Sequence, residues 1–99
     1  MTSNEEIQVS VQMTPNPNTI KFIVDINLLD SGSVDFPDVA SAKNSVVATG
    51  LFEIEGVSGV FIGTHFLSVT KLAAAEWSEL AEPVIEKIKV LLSENEDYI

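Results

Sequence analysis

Cysteine is absent from all 99 residues of the chain. The sequence therefore offers no disulfide, no redox-active thiol and no thiolate for a soft metal. Arginine is absent too: the 5 positive charges are all lysines, set against 15 carboxylates for a formal net charge of −10. Such a surface repels a phosphate backbone and lacks the bidentate fork that grips one, so no nucleic-acid partner is expected. A charged partner should be basic, and its attraction should weaken with salt. Residues 1–8, MTSNEEIQ, have neither a basic start nor an apolar run, so no secretory signal is expected. No apolar stretch approaches the roughly 20 residues of a membrane helix, so no membrane partner is expected either. The resulting expectation is a soluble cytoplasmic protein.

What the sequence does have is patterning. Its length suits one domain, 1–99, with residues 1–6 and 94–99 frayed, and an apolar share of 45% can build a core unaided. Ile7, Val9, Val11 and Met13 alternate with polar residues, and Ile20, Phe22 and Val24 do so again after TPNPN, which predicts an antiparallel hairpin. Ser33 to Phe36 suggests a short strand ended by Pro37. Asn44 or Ser45 suits a helix N-cap before the apolar face Val46, Val47, Leu51 and Phe52, and Gly56 can stop that helix. Val57 to Lys71 predicts a second hairpin turning at Gly63-Thr64-His65. Phe61 is expected beside Leu67 and Val69, with cover on both sides of this hairpin. Trp77, Leu80, Val84, Ile85, Ile88, Leu91 and Leu92 form a helical stripe. Pro83 predicts a kink near Glu79 or a helix start shortly before it. The whole reads as an α+β two-layer sandwich, an antiparallel sheet of about four strands with two helices on one face.

The stretch TPNPNTIKF concentrates stiffness. Pro15 and Pro17 fix their own φ and extend Thr14 and Asn16, while Asn16 and Asn18 can close local turns. The plain reading is a hairpin connection that sets register. The functional reading is a rigid loop presenting two amides and the Lys21 ammonium to a partner at little ordering cost.

Three motifs in order, TPNPNTIKF, LFEIEGVSGVFIGTHFLSVTK and W77-x-x-L80-x-x-P83-x-I85, resemble the N-terminal domain of the Nfu/NifU-type iron–sulfur scaffold proteins over roughly Val9 to Leu92. The matching positions are Thr14 to Thr19, Lys21 and Phe22; Leu51, Phe52, Ile54, Gly56, Val57, Val60, Phe61 and Gly63; and Phe66, Val69, Thr70 and Lys71. His65 and Ser68 depart mildly, standing where Asp and Thr are common. In that family a second domain with a Cys-x-x-Cys motif holds the cluster, and this chain has no cysteine. The resemblance therefore implies a non-enzymatic protein-interaction or accessory role in iron–sulfur cluster assembly or delivery, without cofactor or cluster ligands of its own. The implied partner is a cysteine-bearing iron–sulfur scaffold or a client apo-protein. The alternative is a general protein-binding adaptor of the same fold, unrelated to iron–sulfur maturation.

Other chemistry is thin. His65, the one histidine, lies in a turn, where a solvated side chain is the usual outcome. Asp35-x-x-Asp38 and Glu53-x-Glu55 lack calcium-loop spacing, and no nucleophile elbow, P-loop or dinucleotide fingerprint occurs. No catalytic or metal-binding residues are assigned. Trp77 reads as core. Phe61 and Phe66, expected on opposite faces, leave one aromatic set to offer a partner. The residues assigned to partner binding are Asn16, Asn18 and Lys21, with Thr64 and His65 at the neighbouring hairpin tip.

Overall fold

A computed structural model describes residues 7–29, 31–43 and 45–94. The elements run β1 (Val9–Met13), β2 (Thr19–Val24), β3 (Val34–Phe36), α1 (Val46–Phe52), β4 (Val57–Ile62), β5 (Phe66–Lys71) and α2 (Trp77–Glu94), with a 3-10 turn at Ala40–Ala42 before α1. One sheet holds the strands in the order β1-β2-β5-β4-β3. All four neighbouring pairs are antiparallel. The short strand expected at Ser33 to Phe36 is β3, which makes the sheet five-stranded; its pairs Val34↔Ile62 and Phe36↔Val60 turn its apolar residues to the core before Pro37 ends it. The expected frayed ends lie outside the described residues, except Glu94, which closes α2.

Period-two patterning builds the core directly. Ile20, Phe22 and Val24 of β2, Leu67 and Val69 of β5, and Val60 and Ile62 of β4 are all buried on one face. Against them pack Val47, Ala48 and Leu51 of α1 and Val84, Ile88 and Leu92 of α2. Both helices thus lie on the same side, as the α+β two-layer reading requires.

Each helix follows local chemistry. Ser45 caps α1, its Oγ accepting the Ala48 amide at 3.0 Å; Asn44, the other expected cap, is outside the described residues. The packed face of α1 is Val47, Ala48, Gly50 and Leu51, while Val46 is exposed and Phe52 half-buried. The difference from the expected face is steric: a Cβ on Gly50 would stand 2.8 Å from both δ-carbons of Leu91, so small residues let α1 approach α2. After α1, Gly56 takes φ +105°, a turn that a side-chain-bearing residue adopts only under strain. Helix α2 begins two residues before Glu79 and runs on past Pro83, whose missing N–H deprives the Glu79 carbonyl of its helical donor.

One expectation about the sheet is overturned. Phe61 pairs with Ser68, and Ile62 with Leu67, so Phe61 shares its face with Phe66 and not with Leu67 and Val69. Alternation inside each strand is legible, but the phase across a turn depends on which residues pair. Helices cover only the opposite face.

Candidate functional site

The TPNPN turn is closed from within. The Thr14 hydroxyl accepts the Asn16 amide at 3.1 Å and lies 2.9 Å from the Thr19 carbonyl and 3.0 Å from the Asn16 carbonyl. The Asn16 side-chain oxygen accepts the Asn18 amide at 2.9 Å, and the Asn16 carbonyl accepts the Thr19 amide at 3.0 Å. An Asn-closed turn is what the Asn and Pro content of this stretch favours.

The same turn is bolted to the rest of the fold. Asn18 takes Lys71 twice, its carbonyl accepting the backbone amide at 2.8 Å and its side-chain oxygen the ammonium at 3.0 Å. Beside it the hydroxyls of Thr19 and Thr70 meet at 2.7 Å. The Trp77 indole N–H donates to the Pro17 carbonyl at 3.2 Å, and its ring lies 6.2 Å from that of Phe22. Trp77 is therefore core on one side and an anchor for the loop on the other. The three separated motifs converge at this corner. Among the described residues the side-chain NH2 groups of Asn16 and Asn18 donate no hydrogen bond within the protein, only their oxygens being engaged.

The five residues assigned to partner binding do not form one cluster. Thr64 and His65 lie at the far end of the β2–β5 pair, where their carbonyls accept the amides of Leu28 and Val24 at 2.7 and 2.9 Å. At about 3.3 Å per residue, β2 alone puts roughly 17 Å between the TPNPN loop and that tip. The His65 ring stays exposed, with Nδ1 3.2 Å from the Thr64 hydroxyl.

Lys21 lies between the two ends, in the middle of the face no helix covers. Its ammonium stands 4.3 Å from the centroid of the Phe66 ring, a cation–π contact. Phe66 in turn stacks on Phe61, with centroids 6.0 Å apart. Register adds Ile23 opposite Phe66 and Ser68 opposite both Lys21 and Phe61. Lys21, Ile23, Phe61, Phe66 and Ser68 are each half-buried, shielded by one another. Gly63 supports this arrangement, since a Cβ there would come within 2.4 Å of the Phe66 ring. Ile23 escaped the sequence reading because its place beside Phe66 depends on a pairing between the two hairpins.

The remaining carboxylates have ordinary tasks. Asp38 accepts the Ser41 amide at 2.9 Å, and Glu53 pairs with Lys87 at 3.2 Å. No group of three or more His, Asp or Glu side chains placed to hold a metal occurs among the described residues. Around the start of α2, Glu55, Glu76 and Glu79 rim a shallow groove floored by Gly56, Leu72, Ala75 and Leu80. Glu82 and Glu86 continue the acidic surface along the exposed side of α2. Glu96 and Asp97, two further acids near the C-terminal end of the sequence, lie outside the described residues. No helix among the described residues is long and apolar enough to cross a membrane.

Residues 7–95 match the family model for the scaffold protein Nfu/NifU N terminal. A relative from Drosophila erecta, named NFU1 iron-sulfur cluster scaffold homolog, mitochondrial, is 40% identical over 81% of this chain and 29% of its own length. The human protein of the same name is 48% identical over 64% of this chain and 25% of its own. The chain thus spans under a third of the curated relatives it matches. Among solved structures, a NifU-like protein from Saccharomyces cerevisiae superposes with a TM-score of 0.84 at 25% identity, over 100% of this chain and 89% of that one. A Staphylococcus aureus protein superposes with a TM-score of 0.64 at 26% identity, over 86% of this chain and 98% of that one. These matches overturn the cytoplasmic expectation, because the relatives are named as mitochondrial. Charge and hydropathy of a folded domain bear on its solubility and partners, and they do not distinguish one aqueous compartment from another.

Proposed function

The chain belongs to the Nfu/NifU N-terminal family, and from that premise we propose that it is a non-enzymatic protein-interaction domain in iron–sulfur cluster assembly or delivery. It carries no cluster ligands of its own: clusters are held by cysteine thiolates, with histidine as the occasional substitute, and the chain has no cysteine and one histidine. Its partner is a cysteine-bearing scaffold or a client apo-protein.

The observation that carries this reading is the uncovered sheet face. Lys21, Ile23, Phe61 and Phe66 form a compact apolar and cationic surface on the strands, covered by neither helix among the described residues. Aromatic side chains such as phenylalanine are enriched in protein–protein interfaces relative to the rest of the surface. The Asn16 and Asn18 amides extend it at one end of the β2–β5 pair, and Thr64 and His65 mark the other.

The test joins binding to stability. Lys21→Ala combined with Phe61→Ala is expected to abolish binding to a scaffold or client while lowering the melting temperature far less than Phe22→Ala does. Retained binding would refute this face as the site. Anaerobic incubation with iron and sulfide is expected to leave the protein colourless; a stable visible charge-transfer band with stoichiometric iron would overturn the ligand-free assignment.

A further inference from the structure

The two edges of the sheet are guarded unequally. At one edge, β3 is three residues long, carries Asp35 and is followed at once by Pro37. Short length, an inserted charge and an adjacent proline are the devices that keep an edge from pairing with another chain. At the other edge β1, Val-Ser-Val-Gln-Met, is five residues long and contains no charge and no proline. Among the described residues nothing pairs with its outer side.

Its side chains are unusual for their position. Val9, Val11 and Met13 pair with Val24, Phe22 and Ile20, so they point to the helix side of the sheet. Val11 is nonetheless 47% exposed and Met13 66% exposed, because the helices cover the central strands and stop short of this edge. Ser10 and Gln12 point to the open side. The edge therefore presents unpaired backbone groups together with an apolar ledge on one face and neutral polar groups on the other.

We propose that β1 is a self-association edge, and that its occupant is the β1 strand of a second copy of this chain, paired antiparallel about a two-fold axis at Val11. The pattern is self-complementary in that register. Val11 faces its own counterpart, Val9 faces Met13, and Ser10 faces Gln12, so every apolar pair falls on the helix side. A shift by one residue would set apolar against polar along the whole strand. The contact is isologous and closes at two copies, joining two sheets into one. The strand itself contributes no like-charge pair, whereas each copy carries a formal charge of −10 elsewhere. Salt should therefore strengthen the dimer by screening that repulsion. This is the opposite of its effect on a basic partner at the acidic surface, and it separates this contact from the proposed function.

Sedimentation equilibrium of the purified chain, from low to high salt, tests it. The expected result is a monomer–dimer equilibrium that shifts toward dimer as salt rises. Val11→Lys and Val11→Asp each place like charges on the two-fold axis, and each should weaken the dimer roughly tenfold or more. Mixing these two variants should restore a dimer, since only position 11 faces itself in this register. Val11 is exposed, so circular dichroism should show both variants folded. A chain that stays monomeric at every salt concentration would overturn the proposal. So would a parent dimer whose mixed variants fail to pair, because association would then use another register or surface.

Discussion

Lys21 and Phe22 are consecutive residues of β2 with opposite surroundings. Phe22 is fully buried between strands and helices, while Lys21 lies over an aromatic ring on the face the helices leave open. The same contrast runs across the sheet: Leu67, Val69, Val60 and Ile62 point into the core, and Phe66, Ser68 and Phe61 point away from it. Strand geometry lets a 99-residue chain bury one sheet face under its helices and leave the other open, the face proposed here for recognition. The TPNPN loop stands at the boundary, tied to the covered side by Trp77 and to the sheet by Lys71.

Substitutions should divide along that line. Phe22→Ala removes a fully buried ring, and chemical denaturation should show a loss of about 3–5 kcal/mol. Asn16→Ala deprives the Asn18 amide of its acceptor, and Ser45→Ala removes a helix cap; each should cost about 1 kcal/mol in the same assay. Trp77→Phe keeps most of the packing on Phe22 and loses the bond to Pro17. It should cost about 0.5–1.5 kcal/mol and accelerate amide exchange at Asn18 and Thr19. Lys21→Ala should alter stability least, by about 0.5–1 kcal/mol from the lost cation–π contact, yet weaken partner binding. A Lys21 variant as destabilised as the Phe22 variant would erase the distinction between the faces. The acidic side of α2 should act on rate alone: association with a basic partner should slow with salt while dissociation stays nearly constant. A flat on-rate would leave Glu79, Glu82 and Glu86 as solvated surface only.

Much of this was legible in the sequence. Period-two runs mark β1, β2, β4 and β5, the three- and four-residue stripe marks α2, and Ser45 marks the start of α1. What stayed hidden depends on pairing between distant segments. The approach of β2 to β5 brings Ile23 and Lys21 beside Phe66, and no local pattern encodes it. The offset at Gly63–His65 decides which face Phe61 joins. The exposure of Val11 and Met13 follows from how far the helices reach, which β1 alone does not specify. The loop shows the same limit from another side. Its prolines predict a rigid turn, but the roles of Asn18 and Trp77 emerge only when Lys71 and Pro17 are brought to them.

The uncovered sheet face is proposed as the recognition surface. A photo-crosslinking amino acid placed at Phe61, on that face, and in parallel at Val90, exposed on α2, tests it most directly. The prediction is that position 61 captures iron–sulfur apo-proteins or a cysteine-bearing scaffold, that Lys21→Ala reduces this capture, and that position 90 does not yield them. Equal capture from both positions, or capture from position 90 alone, would contradict it.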